Sequence, residues 1–552
     1  MNQFFPFAIL VAFISFQTAE AQKKLTQAQL KKLDSIATQD VPPGAPGIAT
    51  AILADGEVIY QKMAGYADLV DSSLIDARTR FNLASNGKQF TALAVLQLID
   101  RGRLRLSDDI RTYLPAIFPA IKEKITIEHL LTHTSGIRDV YDLWSLQGLT
   151  WWEQSFSNED VWQLLCRQQE LNFKPGSSYL YSNSNYILLA LLVEKRTGKS
   201  FVEVTNGLFQ QLGMKNTSFE NNYRKIRGPI AKAYFNFGKW TTYNWIWNVC
   251  GDGNLFSTLA DQVKWEQIIQ GRTVPGISSR LISKSQQLVS ASSAQSGYGY
   301  GVEFGSYKGL DYLFHEGATG AWKATVIRFP QYRISMITLT NTGKSIPYQQ
   351  TRQMADVVFD KSGSSGDWAL RPAAGGSYVE EEDILGTYLT NNDFAFRFLK
   401  KGEKLYLRRE GRGDVELERE GDNVFHQKYD TAFKQAFSLN KDREMEVTAY
   451  YTTHAPYSLI RKNSNWGGYD YNALAGRYIN AETNVELTIS YQGDKNYAVK
   501  IGARDTSTGL LVSPGKLLAG GYRLILPGDD KEQDNIFLDG DRIKRVRFRR
   551  LR

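Results

Sequence analysis

The chain has 552 residues, 42% of them hydrophobic and 22% charged, with a formal net charge of +8 at pH 7. This composition excludes a disordered protein, and the length favours two to four domains over one. Two cysteines exclude a disulfide scaffold, and a mild basic excess without any recognisable binding motif speaks against nucleic acid as a partner.

Phe4 to Phe16 is a 13-residue apolar run, too short to span a bilayer, and Ala19-Glu20-Ala21 after it is a small-x-small cleavage pattern. Residues 1–21 read as a signal peptide, although no Lys or Arg precedes the apolar run. The mature protein is expected to be exported, periplasmic or secreted, with no stable membrane span. From residue 45, GIATAILADGEVIYQKMAGYAD carries two β-rich runs around Asp55-Gly56, the favoured two-residue hairpin turn.

NLASNGKQFTA follows at residues 82–92, with Lys88 three residues after Ser85 at the mouth of an apolar helix. This spacing puts both side chains on one helical face. A serine hydroxyl is a poor nucleophile until a base takes its proton, and a lysine among apolar residues is pushed toward its neutral form. Alone the pair means little, since ordinary usage of Ser and Lys yields about a couple of such matches by chance in a chain this long.

Helical text then continues to about residue 290. Within it, His129 and His133 in HLLTHTSG have the i, i+4 spacing of a metal pair but read as structural residues, so no metal is assigned. Phe173-Lys174-Pro175-Gly176 opens a turn that carries Tyr181-Ser182-Asn183 into an apolar helix. There a phenol can relay a proton and an amide can hold a substrate carbonyl. Cys166 and Cys250 lie far from metal or CxxC spacing and read as two buried thiols, with one long-range bridge as the alternative.

Strands return in YGYGVEF, LDYLFHEG, KATVIRF and RISMITLTN, followed by a helix through Met354, Val357 and Val358. His315-Glu316-Gly317 puts a small residue where a strand can approach a substrate backbone. A Gly/Ser/Ala-rich linker is expected over residues 361–383. Beyond it, Ile384-Leu385-Gly386-Thr387-Tyr388 and Leu474-Ala475-Gly476-Arg477-Tyr478 lie 90 residues apart and announce two β modules, 384–465 and 466–552. Closed barrels are the simplest form, because closure removes exposed edges. The basic run Arg542 to Arg552 ends the chain and reads as a strand with one solvated face, an anionic cell-surface partner being the lesser alternative.

SxxK, YxN and HxG in this order resemble the serine β-lactamase and penicillin-recognising enzyme family, in particular the branch holding class C β-lactamases, D-aminopeptidases, DD-carboxypeptidases and esterases. LRLSDDIRTYLP (Leu104–Pro115), ITIEHLLTHTSGI (Ile125–Ile137) and NLFSTLADQVKW (Asn254–Trp265) carry the same likeness, which covers roughly residues 28–360. The tandem modules look like the lipocalin-like barrels appended to some D-aminopeptidases. The resemblance implies an α/β (α+β) domain over residues 22–360, an antiparallel sheet flanked by helices with a helical subdomain, followed by two small all-β barrels.

For the site, the resemblance implies Ser85 as nucleophile, Lys88 as the base or its partner, and Tyr181 as proton shuttle, with the choice of first base between Lys88 and Tyr181 left open. Asn183 would orient the substrate amide, His315 and Gly317 would line an edge strand, and the N–H groups of Ser85 and Ala318 would form the oxyanion hole. No cofactor is implied. His315 stands where many relatives have a lysine facing the substrate carboxylate. A mostly neutral imidazole removes that charge, which shifts the expectation from β-lactams toward D-residue peptides, amides and esters, with cell-wall material as a source. The competing classes are a non-catalytic peptidoglycan or penicillin sensor, a β-lactamase, and a wall or glycan binder working through its barrels. A pure binder has no need of a base-activated serine, which favours the hydrolase.

Overall fold

The computed structural model describes residues 24–360 apart from 151 and 294–295, and 377–551 apart from 391–394, 410–413, 452–453, 463–465, 494 and 527–533. The proposed signal peptide and most of the expected linker lie outside the described residues.

Asp55 and Gly56 both have positive φ, 51° and 81°, as a two-residue hairpin turn requires, and they join strands Ile48–Ala54 and Glu57–Ala64. Ile48–Ala54 pairs on its other side with Ile334–Thr340, so both ends of the segment meet in one sheet. That sheet has eight antiparallel strands, running in space from Leu288–Ser293 through Ser296–Gly299, Glu303–Tyr307, Leu310–Thr319, Trp322–Phe329, Ile334–Thr340 and Ile48–Ala54 to Glu57–Ala64. Ile48–Ala54 is buried throughout because both faces are covered. Helices Gln27–Thr38 and Pro347–Val358 pack on one face around Leu33, Ile52, Met354 and Val358. The helical subdomain covers the other, centred on Lys88–Asp100, which is buried along most of its length and accordingly apolar nearly all round.

Short sheets fall inside the text expected to be helical, among them the pair Tyr234–Asn236 and Trp240–Thr242 and a three-stranded sheet. Leu255–Thr258 pairs with both Arg80–Asn82 and Ser218–Phe219, which brings the GDG stretch at 251–253 against the segment that precedes Ser85. A four-residue strand with no clear alternation carries too little periodicity to be legible.

The C-terminal region forms two closed eight-stranded antiparallel barrels, from Gly386–Leu389 to His454–Arg461 and from Gly476–Ile479 to Val546–Arg550. The repeated pentapeptide has a clear role. Tyr388 and Tyr478 are fully buried, and each hydroxyl donates to the carbonyl four residues upstream, Ile384 at 2.9 Å and Leu474 at 3.0 Å.

The second barrel shares one continuous apolar core with the helical subdomain, whereas the first has its own and meets the second through Leu389, Ala395, Val512 and Leu518. A buried ion pair locks the second barrel in place, Arg138 Nη1 lying 2.6 Å from Glu482 Oε2. Arg138 also donates to the carbonyls of Arg545 and Lys544, and Glu482 Oε1 accepts from the N–H groups of Gln169 and Glu170.

Candidate active site

Ser85 sits in a 3-10 turn, Ala84–Gly87, that runs directly into the helix starting at Lys88. Ala84 has φ +46°, a left-handed conformation that a residue with a Cβ rarely adopts, held by Asn82 Oδ1 accepting from Ala84 N at 2.9 Å. Lys88 is completely buried, and its Nζ reaches Ser85 Oγ at 3.1 Å, Asn183 Oδ1 at 2.9 Å and the Asp252 carbonyl at 2.6 Å. Burial lowers its pKa from 10.5 to about 8, against the opposing pull of the Asp252 and Asp139 carboxylates.

The YxN element enters helix Asn183–Thr197 at its first turn. Tyr181 hydrogen-bonds Ser85, and burial raises its phenol well above the usual value despite that bond and the nearby Arg542. His133 lies under the Tyr181 ring at 4.2 Å between centroids, and its Nδ1 accepts from Ser182 N at 3.1 Å. Burial keeps that imidazole neutral. Asn183 is fixed by Asp139, whose Oδ2 accepts from its backbone N at 2.6 Å and its side-chain Nδ2 at 2.8 Å. Asp139 Oδ1 meanwhile caps helix Val140–Leu146 through the N–H groups of Tyr141 and Asp142.

The HxG strand departs from the expected edge position. Leu310–Thr319 lies inside the sheet, but its neighbour Glu303–Tyr307 pairs with it only as far as Phe314. His315 to Thr319 are therefore left as a local open edge on the cleft side. Gly317 serves the protein's own backbone: a Cβ there would stand 2.1 Å from the Leu83 carbonyl oxygen and 3.2 Å from Ser85 N. This close approach sets Ala318 beside the serine turn, and both Ser85 and Ala318 line the cleft.

His315 is buried, its Nδ1 donating to the Glu316 carbonyl at 2.7 Å, which leaves Nε2 to accept from Tyr298 at 3.2 Å. Burial, reinforced by Lys88, lowers its pKa to about 3, so the ring carries no charge. Glu303 and Glu316, on the same wall, are each raised to about 7 by burial; Arg352, 4.0 Å from Glu316, opposes the rise.

All of these groups meet at one cleft of about 900 Å³, lined by Ser85, Tyr181, Asn183, His315, Gly317 and Ala318, with Lys88 beneath its floor. Several functional neighbours were not foreseen in the sequence: Asp139, Asp252, Glu303, Glu316 and Arg542. Asp139 could have been flagged as a helix N-cap, since an Asp precedes V-Y-D-L-W, but nothing local links it to Asn183, 44 residues on. Cys166 and Cys250 are free thiols, which removes the bridge alternative. His129 accepts from Thr126 N at the start of its own helix, a capping role.

The profile of the beta-lactamase family matches residues 33–360. A penicillin-binding protein of Bacillus subtilis is 26% identical over 393 residues, covering 67% of this chain and 85% of its own length. A D-aminopeptidase of Brucella anthropi is 29% identical over 305 residues, covering 54% of this chain and 56% of its own. Among solved structures, the octameric penicillin-binding protein homologue of Pyrococcus abyssi superposes with a TM-score of 0.58 at 22% identity, covering 78% of this chain and 99% of its own, a likeness of fold.

Proposed function

The chain belongs to the beta-lactamase family of serine hydrolases, and from that premise we propose that it cleaves amide or ester bonds through an acyl-enzyme on Ser85. The observation that carries this reading is the 3.1 Å contact between Lys88 Nζ and Ser85 Oγ, with burial lowering the lysine to about 8 so that its neutral form is within reach near neutral pH. A neutral amine there donates to Asn183 Oδ1 and the Asp252 carbonyl and keeps its lone pair for the Ser85 proton. Tyr181 stays a phenol at neutral pH, which suits a proton relay and not a first base.

In the proposed sequence Lys88 takes the Ser85 proton as Oγ bonds to the substrate carbonyl carbon. The oxyanion is received by the N–H groups of Ser85 and Ala318. Collapse breaks the bond to the leaving group, which takes a proton passed from Lys88 through Tyr181. Water then adds to the acyl carbon and frees Ser85. D-residue peptides and small esters are the proposed substrates, a class in keeping with the D-aminopeptidase among the relatives. Intact mass after exposure to a fluorophosphonate probe, and separately to a penicillin, tests the reading. One probe mass on wild type and none on Ser85→Ala supports it, and equal labelling of both overturns it.

The lysine sets the pH dependence. Below about pH 8 Lys88 is mostly protonated and cannot accept a proton, so kcat/KM for a neutral ester should rise about tenfold per pH unit and level off near pH 8 to 9. A profile already flat from pH 5.5 to 8 would show that Lys88 is not the base.

Export belongs to the same proposal and rests on the apolar run and Ala19-Glu20-Ala21. The amino terminus of protein recovered from outside the cytoplasm should be Gln22, and recovery with Met1 intact would refute cleavage.

A further inference from the structure

The turn between the last two strands of the second barrel, Asn535–Asp539 and Val546–Arg550, reaches into the cleft. It is held at several points. Arg542 N donates to Asp142 Oδ2 at 2.7 Å, the Arg542 carbonyl accepts from Asn172 Nδ2 at 3.1 Å and from Asp139 N at 3.3 Å, and Lys544 N donates to Asn172 Oδ1 at 2.6 Å. So pinned, the turn lays the Arg542 guanidinium over the Tyr181 ring, 4.9 Å from its centroid. The ring it covers is the one whose hydroxyl hydrogen-bonds Ser85.

Against burial, Asp139, Asp541 and Asp142 lie close enough to raise its pKa, but among the described residues no cleft carboxylate forms an ion pair with the guanidinium. Among the described residues its one ion pair is with its neighbour Asp541, at 3.5 Å from Nε, and Asp541 is itself largely exposed. Asp139 accepts from four N–H groups and Asp142 Oδ2 from the Arg542 backbone, and among the described residues neither carboxylate hydrogen-bonds the guanidinium. Of the other cations at the cleft, Lys88 lies below the floor and Lys323 spends its protons on the carbonyls of Gly343 and Ser345. Glu303 and Glu316 face the cleft from the opposite, third-motif strand pair. A partly exposed guanidinium lining the cleft is a fork suited to a planar anion.

We propose that the second barrel completes the active site and that Arg542 is a substrate-binding residue for a carboxylate, so that the preferred substrates are amides or esters bearing one. This rests on Ser85 as the nucleophile and deepens that reading. It also revises the expectation drawn from His315: the charge missing from the third motif is supplied by another domain, and anionic substrates regain an anchor.

Three esters of similar size test it: phenyl butyrate, 3-carboxyphenyl butyrate and the monophenyl ester of glutaric acid, which put no carboxylate, one on the leaving group and one on the acyl chain. Wild type should favour at least one anionic ester. Arg542→Ala and Arg542→Glu should each lower the anionic-to-neutral ratio of kcat/KM by about tenfold or more, chiefly through KM, with Arg542→Lys retaining part of it. If those variants do not fold, wild type still decides, because 0.5 M NaCl should reduce the ratio and glutarate should slow fluorophosphonate labelling. A wild-type preference for the neutral ester, or ratios unchanged by Arg542→Ala, overturns the proposal. Survival of neutral-ester turnover in Ser85→Ala would overturn the nucleophile assignment instead, while the ratio still reports on Arg542.

Discussion

Ser85→Ala and Lys88→Ala are each expected to lower kcat/KM for a p-nitrophenyl ester by about four orders of magnitude or more, and together by little more than either alone. Groups that act as one unit are strongly non-additive, because a serine without its base and a base without its serine are equally idle. The geometry makes the pair such a unit. Lys88 Nζ has three oxygen neighbours, of which only Ser85 Oγ carries a transferable proton, and the lysine is fully buried. Lys88→Ala also removes the donor serving Asn183 Oδ1 and the Asp252 carbonyl, so thermal unfolding of the variant belongs beside the kinetics. A folded Lys88→Ala protein with activity within tenfold of wild type would end the case for Lys88 as base.

The second large effect is on stability. Glu482→Ala should destabilise the junction of hydrolase domain and second barrel by about 3–5 kcal/mol, because it leaves Arg138 charged, buried and unanswered by a close carboxylate. The other neighbouring carboxylate, Glu170, stands 3.7 Å away and is partly exposed. Two N–H groups, of Gln169 and Glu170, lose their acceptor as well. Replacing both partners, as in Arg138→Met with Glu482→Leu, should cost far less, since no uncompensated charge remains. Denaturant unfolding followed by tryptophan fluorescence measures this, and a Glu482→Ala midpoint equal to wild type would show that the pair does not hold the barrel. The expectation also bears on the cleft, because the same junction carries Arg542.

Much of the molecule was legible because its determinants are local or periodic. Asp55-Gly56 states a turn that needs two positive φ values, and both are present. Ile384 to Tyr388 and Leu474 to Tyr478 state one structural device twice, a buried tyrosine bonded to the carbonyl four residues back. Ser85 and Lys88 are one turn apart, so their contact follows from helical geometry whatever surrounds them.

By itself, then, the sequence determined the family, the hairpin, the two modules and the Ser85–Lys88 pairing. The tertiary structure alone decided how those groups are charged and what else surrounds them. The pKa values of Lys88 near 8 and His315 near 3 depend on how much water burial removes, which no short pattern encodes. Gly317 read as an allowance for substrate, but it is the protein's own Leu83 carbonyl that needs the room. Arg542 read as one of a run of solvated charges at the end of a strand. It meets the cleft because the second barrel shares its core with the helical subdomain, which sets Arg542 N on the carboxylate of Asp142 across 400 residues of chain. Contacts at that separation are chosen by how whole domains bury their apolar surface, and local side-chain pattern carries no record of that choice.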